Sequence, residues 1–219
     1  DGGAWQTLPQ LTAGYLRGRF PSLVLDDAGD PIVAWVDSQD GAHYGVYVQR
    51  FSAGTWHDVG VGSGAGDGVF PPDPELFGIP AMTMIGTSRP VIVRQRFAAV
   101  QIRRFDGTAW QELYSGVAPG FFVSGLGSIV LDAADNPVIA WYTLDSADGE
   151  LYGDVLVLRY DGTGWQEITG ASGSGGGISN NVGQSQLPVL TFDPDGMPIV
   201  AWSDNASGNF EIYVRRLDN

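Results

Sequence analysis

The sequence predicts an all-β fold made of four copies of one unit, and three observations support this. A turn leading into tryptophan recurs every 50 to 55 residues or so, at Trp5, Trp56, Trp110 and Trp165. No segment of helical length shows apolar residues at a 3.6-residue period. The 32 glycines and 13 prolines favour many tight turns. A repeat of this length is typical of solenoids and propellers.

Each unit contains four segments of strand length, which in the first unit are 21–26, 31–37, 45–51 and 55–60. They are rich in valine, isoleucine and aromatic residues, and glycine, aspartate, asparagine and proline bound them. Four-stranded antiparallel units arranged around a ring are the blades of a β-propeller. We therefore predict one domain over residues 1–219, a four-bladed β-propeller. Its predicted blades are approximately 21–60, 80–114, 127–169, and 187–219 plus 4–9.

The last unit, Leu187–Asn219, ends before its final tryptophan, and the segment 4–9 carries a tryptophan with no unit of its own. We predict that 4–9 pairs as the outermost strand of the C-terminal blade and closes the ring. A ring of this kind leaves no open sheet edge. The alternative is an eight-bladed ring formed by two chains.

An arginine recurs on the third strand of every unit, at Arg50, Arg104, Arg159 and Arg216. Recurrence inside one chain favours a structural role over chemistry. We expect each arginine to fix a turn of its blade by bonding a neighbouring aspartate or backbone carbonyls.

Composition excludes several classes of function. The net charge is −14, all 11 basic residues are arginine, and the chain has no cysteine. Such a chain is repelled by nucleic acid and anionic membranes. It lacks the run of about 18 apolar residues that membrane insertion needs. Disulfide and thiol chemistry are excluded as well. We predict an extracellular or cell-surface protein, as a monomer or as part of a larger multidomain protein.

The segments 104–110 and 159–165, Arg-Phe-Asp-Gly-Thr-Ala-Trp and Arg-Tyr-Asp-Gly-Thr-Gly-Trp, resemble a degenerate Asp box of sialidase-like β-propellers. The whole unit, with Pro-Ile-Val-Ala-Trp at 198–202, is similar to tandem repeats of secreted bacterial surface proteins. The resemblance implies a propeller scaffold. It implies no catalytic residues, because no tyrosine and glutamate pair is assigned as nucleophile and base.

The long inter-blade loops and the variable hairpins fall on one side of the predicted propeller, which is the usual binding face. The second unit places Arg94 where the others have tryptophan and adds Arg96 two residues later. Arginine forks suit carboxylate, sulfate and phosphate groups. We predict a site for an acidic glycan or carboxylate at Arg94 and Arg96. The alternative is that these arginines pair with Asp73, Glu75 or a neighbouring blade.

Other long-loop residues are candidates for contact with sugar. Asn180 and Asn181 offer amides to hydroxyl groups, and Tyr15 and Phe121 offer rings for stacking. No cofactor is predicted. Calcium is the one ion that the oxygen-rich loops suggest. The candidate ligands are Asp145, Asp148 and Glu150. Ordinary tight turns account for the same residues.

The favoured function is a non-catalytic binding or adhesion module that recognises carbohydrate or a protein surface through the long-loop face. One alternative is an enzyme, a propeller-type glycoside hydrolase or polysaccharide lyase. The other is a structural spacer or oligomerisation unit of a larger surface protein. A pair of carboxylates near the axis mouth would favour the hydrolase.

Overall fold

The structure is a computed structural model. It describes residues 3–11, 18–38, 40–71, 79–86, 88–96, 99–117, 126–143, 145–147 and 150–218. The chain forms two compact units, Asp1–Leu76 and Phe77–Asn219. Every regular element in the described residues is a β-strand, which confirms the all-β class.

No helix in the described part of the chain is long and apolar enough to span a membrane.

The first unit contains one antiparallel sheet of four strands in sequence order. The strands are β1 (Arg19–Leu25), β2 (Pro31–Ser38), β3 (Tyr44–Ser52) and β4 (Thr55–Asp58). Strand β2 is buried almost throughout, since Ile32, Ala34 and Trp35 are all 3% exposed or less. Strand β1, at the edge of the sheet, instead exposes Leu23 and Leu25.

The second unit contains three larger antiparallel sheets and one short hairpin. The strands are β5 (Ala81–Ile85), β6 (Arg89–Arg96), β7 (Ala99–Phe105), β8 (Trp110–Val117), β9 (Leu126–Leu131), β10 (Pro137–Tyr142), β11 (Asp145–Ala147), β12 (Glu150–Tyr152), β13 (Val155–Tyr160), β14 (Trp165–Glu167), β15 (Ser185–Phe192), β16 (Pro198–Asp204) and β17 (Glu211–Arg216). The sheets are β5-β6-β7-β8, β9-β10-β13-β14 and β15-β16-β17, and β11 pairs with β12. Neighbouring strands in each of the three larger sheets are antiparallel, as a blade requires, and the β11–β12 hairpin is inserted between β10 and β13.

The core of the second unit lies between its sheets. One apolar cluster joins Val93 and Ile102 of the first sheet to Ile139 and Leu158 of the second. Another joins the opposite face of the second sheet to the third, through Val138, Ala140 and Val155 against Leu190, Val200 and Trp202. The middle sheet is therefore buried on both faces, which explains the unbroken apolar run of β10. The first strands β5, β9 and β15 lie side by side, as a ring of blades predicts.

The predicted ring closure is not confirmed. The sheet β15-β16-β17 has three strands among the described residues. Residues 3–10 form no strand, and Trp5 is fully exposed. Pairing of segment 4–9 with the C-terminal blade therefore stays a prediction, as does the closed four-bladed ring.

The recurring arginine pairs with an aspartate of its own sheet in three of the four repeats, which confirms its structural role. Each aspartate follows the first strand, and one of its oxygens accepts backbone N–H groups of the next turn. The other oxygen faces the arginine. The pairs are Arg50–Asp26 at 3.3 Å, Arg159–Asp132 at 3.6 Å and Arg216–Asp193 at 2.7 Å.

The second repeat departs from this device, because Ile85 stands where the other repeats have aspartate. Among the described residues, the buried Nε of Arg104 accordingly has no hydrogen-bond partner. The turn after the first strand of the second repeat is therefore held without the aspartate carboxylate that fixes this turn in the other three repeats.

We predict that removing the aspartate and removing the arginine of one such pair lower the free energy of unfolding by unequal amounts. Asp193→Ala removes the acceptor of the Asp195 and Met197 N–H groups and should lower the free energy of unfolding by about 1–2 kcal/mol. Arg216→Ala should cost under about 1 kcal/mol, because its half-exposed guanidinium is screened by water. Urea denaturation of both variants checks this, with Asp193→Asn as the control that keeps one acceptor oxygen. Equal losses for Asp193→Ala and Arg216→Ala would show that the ion pair, not the turn, is the stabilising element.

Candidate functional site

A buried carboxylate, Asp204, organises the long-loop end of the last two sheets. It ends β16, two residues after Trp202, and it is 0% exposed. Its Oδ2 accepts hydrogen bonds from Ser185 Oγ at 2.6 Å, Asn181 Nδ2 at 2.7 Å and Trp202 Nε1 at 2.9 Å. Its Oδ1 accepts the Ala206 N–H at 2.8 Å. Both oxygens are thus engaged by the protein itself.

These donors decide the charge of Asp204. Burial alone raises the pKa of a carboxyl group, because the charged form loses its hydration. The bonds from Ser185, Asn181, Trp202 and the Ala206 N–H outweigh burial and leave the pKa of Asp204 below its ordinary value. The group is therefore a stable buried anion at neutral pH.

A second carboxyl group, Asp154, belongs to the same end of the second unit and immediately precedes β13. Its backbone is fixed by two bonds to Thr143, from Asp154 N to Thr143 Oγ1 and from Thr143 N to the Asp154 carbonyl oxygen. Its side chain is partly exposed and accepts Ser179 Oγ at 3.1 Å. Desolvation by burial raises the pKa of Asp154; the Ser179 bond opposes this, and the negative charge of Asp204 adds to the rise.

The two carboxyl groups differ in what they can offer a ligand. Asp204 has both oxygens occupied and no exposed surface, so it acts through the groups that it holds. Asp154 is partly exposed and has one oxygen bonded in the described residues, so it presents acceptor capacity at the surface. The arrangement can bind a hydroxyl or amine donor at Asp154. Neighbouring carboxyl groups with opposite pKa shifts are also the starting condition for acid–base chemistry.

A glycine-rich loop, residues 168–180, holds this end of the second unit together. The loop bonds along β13, from Val157 N to the Ser172 carbonyl and from Ile178 N to the Val155 carbonyl. Gly177 has φ +57, and a Cβ there would lie 2.2 Å from the Val155 oxygen, so only glycine fits. The loop therefore fixes Ser179 beside Asp154.

The first unit contains the same device, which was not recognised from the sequence. Its loop 59–70 bonds β3 in the same pattern, from Val48 N to the Ser63 carbonyl and from Val69 N to the Val46 carbonyl. Gly68 approaches the Val46 oxygen as Gly177 approaches Val155. The sequence signal is Ser-Gly-x-Gly-x-Gly, at 63–68 and 172–177. Each loop bonds the third strand of its own four-stranded sheet, β3 or β13. Because the same loop occurs twice, we interpret it as a glycine-rich brace that holds this strand in place.

The two predicted amide residues, Asn180 and Asn181, both lie at this site, but they have different roles. Asn181 is committed to the scaffold, because its Nδ2 bonds Asp204 and its Oδ1 accepts the Gly183 N–H. Asn180 is exposed, with φ +43 and its backbone N–H bonded to the Gly176 carbonyl. Asn180 is thus an exposed residue whose carboxamide lies over Gly176, next to the residue that anchors the loop. The structure brings Asn181 together with Asp204, Ser185 and Trp202, none of which the sequence had singled out as a site residue.

The predicted arginine site has a different character. Arg94 is 4% exposed, and its Nε donates to Gln101 Oε1 at 2.7 Å, across the β6–β7 pair. Its guanidinium is therefore part of the sheet interior. Arg96 pairs with Ala99 in the same ladder, and its side chain lies outside the described residues.

The remaining predicted positions are only partly described. Tyr15, Phe121 and Asp148 lie outside the described residues, as do the alternative arginine partners Asp73 and Glu75. Asp145 and Glu150 begin the two strands of the β11–β12 hairpin, and their side chains are not described. In the part of the chain that the structure describes, no three histidine or acidic side chains are grouped to hold a metal ion.

No family model and no curated protein matches the sequence. The chain is similar to the solved structure of a GH93 α-L-arabinofuranosidase of Fusarium graminearum with arabinobiose, at TM-score 0.58 and 10% identity over 94% of this chain and 64% of that one. It is also similar to a protein of unknown function from Dyadobacter fermentans, at TM-score 0.58 and 11% identity over 94% and 66%. A Trypanosoma rangeli sialidase follows at TM-score 0.52 and 13% identity, over 87% and 30%.

These similarities concern the fold. The two glycosidases are β-propellers, so the likeness supports a β-propeller-type fold for this chain. The chain spans less than two thirds of the length of each of these three solved structures. At 10–13% identity they show architecture and carry no residue roles.

The two carboxyl groups predict opposite pH effects. The lowered pKa of Asp204 stabilises the fold above the unfolded value near pH 4, and this is lost as pH falls through the folded pKa. The raised pKa of Asp154 gives stability that is present below about pH 4 and lost as pH rises through its folded value.

Asp204→Asn should therefore lose about 1–3 kcal/mol at pH 7 and less at acidic pH. Asp154→Asn should be more stable than the unmodified protein at pH 7, with no difference below pH 4 or so. Urea denaturation from pH 3 to 8 measures both. Parallel profiles for the two variants would contradict the assignment.

Proposed function

We propose that this chain is a non-catalytic carbohydrate-binding β-propeller module that binds glycans at the long-loop end of its last two sheets. The observation that carries the proposal is the partly exposed carboxyl of Asp154, held beside a buried hydrogen-bonded network around Asp204. Sugar recognition needs acceptors of fixed direction at a surface, and a rigid network below them lowers the entropy cost of binding.

Three features support this assignment. Asn180 and Asp154 present an amide and a carboxyl group, which together donate to and accept from sugar hydroxyls. Both are linked to the glycine-rich brace, so their positions are set by the scaffold. Two of the similar solved structures are glycosidases, which makes carbohydrate the natural first ligand class to test, by analogy of fold.

The net charge of −14 favours neutral glycans over acidic ones at long range. The buried position of Arg94 favours the same choice, because its guanidinium faces the sheet interior. An acidic glycan or carboxylate at Arg96 stays a separate proposal, and Arg96→Ala tests it. A protein surface is the alternative partner for the same face.

We also propose that the chain closes as a four-bladed ring and acts in an extracellular or cell-surface protein. Two apolar surfaces support closure. Strand β1 exposes Leu23 and Leu25 in the first unit, and β17 exposes Ile212 and Val214 in the second. Exposed apolar strands of this kind are aggregation sites unless another element covers them.

The second candidate function is glycoside hydrolysis. It is favoured by the opposite pKa shifts of Asp154 and Asp204, which suit an acid and a base. Against it, Asp204 is enclosed and has all its bonds inside the protein. Hydrolysis of arabino-oligosaccharides that is abolished by Asp154→Asn would favour the enzyme over the binding module.

Binding should be measured on a glycan array that includes neutral arabino-oligosaccharides and sialylated glycans. We expect binding to neutral glycans, and Asp154→Ala should weaken it at least tenfold, a loss of about 1.4 kcal/mol. Asp67→Asn is the matched control, because it removes an exposed carboxylate on the first unit's glycine-rich loop. Binding that survives Asp154→Ala unchanged, or that is confined to sialylated glycans, would overturn the proposed site.

A further inference from the structure

The arginine at the short-turn end of the second repeat has the backbone position of the other three but lacks their aspartate. Arg104 lies opposite Val91 in the β6–β7 ladder, and Val91 follows the repeat proline. The paired arginines lie opposite the equivalent residues of their own ladders, which are Ile32 for Arg50, Val138 for Arg159 and Ile199 for Arg216. Arg104 therefore leaves its strand at the position from which the other three reach a carboxylate.

The place of the missing aspartate is taken by an apolar side chain. Ile85 is 2% exposed and belongs to the apolar cluster of the second unit. An aliphatic group offers no acceptor to a guanidinium, and a buried donor without an acceptor costs free energy. The buried Nε of Arg104 is such a donor, since it has no hydrogen-bond partner among the described residues.

The turn next to Arg104 also differs in charge from its equivalents. Three aspartates occur at 26–30, two at 132–136 and two at 193–197, and none of these segments contains a basic residue. The equivalent segment 85–89 has no acidic residue and ends in Arg89. A turn that is acidic in three repeats is therefore basic in the second, in a protein whose net charge is −14.

Arg89 and Arg104 lie on the same face of their sheet. Residues two apart along a strand share a face, and so do directly opposed residues of antiparallel strands. Arg89 precedes Val91 by two residues, and Arg104 is opposite Val91. Diagonal neighbours of this kind lie about 7–8 Å apart, so two long side chains reach the same anion. Arg89 is exposed and Arg104 is half-buried, so solvent reaches the pair.

The acidic side chains nearest along these strands are engaged elsewhere. Asp106 follows Arg104 by two residues, but its oxygens accept four hydrogen bonds from residues 108–111. Glu112 instead faces Arg103, at 4.0 Å. In the part of the chain that the structure describes, the two arginines of the shared face therefore have no ion-pair partner.

We propose that Arg89 and Arg104 form a binding site for a small carboxylate at the short-turn end of the second repeat. The bound carboxylate takes the role of the turn aspartate, as the anion that faces the third-strand arginine. A guanidinium presents parallel N–H donors that match the two oxygens of a carboxylate. The site lies at the other end of the strands from Asp154, so it does not depend on the proposed sugar site.

Titration of the isotope-labelled protein with sodium acetate, followed by NMR at constant ionic strength, measures this binding. We expect saturable shifts of the Nε–H signals of Arg89 and Arg104. Arg104→Gln should weaken acetate binding at least tenfold, because hydrogen bonds between charged groups are the strong ones. Arg89→Gln should weaken it by a smaller factor, because an exposed guanidinium is screened by water. Arg159→Gln is the matched control, since this arginine already faces Asp132, and its affinity for acetate should be unchanged.

A second variant restores the aspartate that the other repeats have. Ile85→Asp places a carboxylate of the chain itself at Arg104, so it should compete with acetate and weaken acetate binding at least tenfold. Circular dichroism establishes that each variant is folded, and if Ile85→Asp does not fold, the two arginine variants decide the question.

Four results would overturn the proposal. They are the absence of saturable shifts, shifts that sodium chloride reproduces, acetate binding that Arg104→Gln leaves unchanged, and an equal loss of binding in Arg159→Gln. Tighter binding of sulfate than of acetate would also contradict it, because it would show a site for tetrahedral anions. Since Asp154→Ala leaves this site intact, loss of glycan binding and loss of acetate binding are separate results.

Discussion

A sheet that is apolar on both faces must be covered on both sides, and this constraint governs the structure of the second unit. The sheet β9-β10-β13-β14 meets it, because Ile139 and Leu158 pack against one neighbouring sheet and Val138 and Val155 against the other. Burial of apolar area stabilises by about 25 cal/mol per Å², so an uncovered face of this kind is a substantial loss. Sheets with this composition therefore stack in series, and the series has to end in a cover.

The same stacking sets where polar chemistry can lie. Along a strand buried on both sides, polar side chains are excluded except at the ends. Asp204 stands at the last position of β16, where the apolar faces stop, and it is stable there because four donors surround it. A buried carboxylate with fewer donors would be costly, since desolvation of an unpaired charge is worth several kcal/mol. Scaffold and site thus share residues, and Asn181 belongs to both.

Much of this could be predicted from the sequence, because the signals are local and recur. The Asp–Arg device follows from two landmarks at fixed positions, Asp26, Asp132 and Asp193 with their third-strand arginines. The role of Asp204 could not be predicted in the same way. An aspartate near a loop is ordinary in turns, and only the tertiary arrangement shows that Ser185 and Asn181 converge on it. The partner of Arg94 could not be predicted for a related reason, since Gln101 lies opposite it only through the β6–β7 register.

The two ends of the sheets differ in how uniform they are, and this difference bears on function. At the short-turn end, three of the four repeats have aspartate after the first strand, held by the same bonds. At the other end, the position two residues after the repeat tryptophan or its replacement changes chemistry from unit to unit. It is Asp37, Arg96, Thr143 and Asp204 in turn. A position that only supported the sheet would repeat, as the turn aspartate does. Asp37 and Asp204 are buried here, and Asp204 and Thr143 position Asn181 and Asp154 in turn. The variation therefore changes which neighbouring groups each strand end holds in place, and at Thr143 that group is Asp154 of the proposed sugar site.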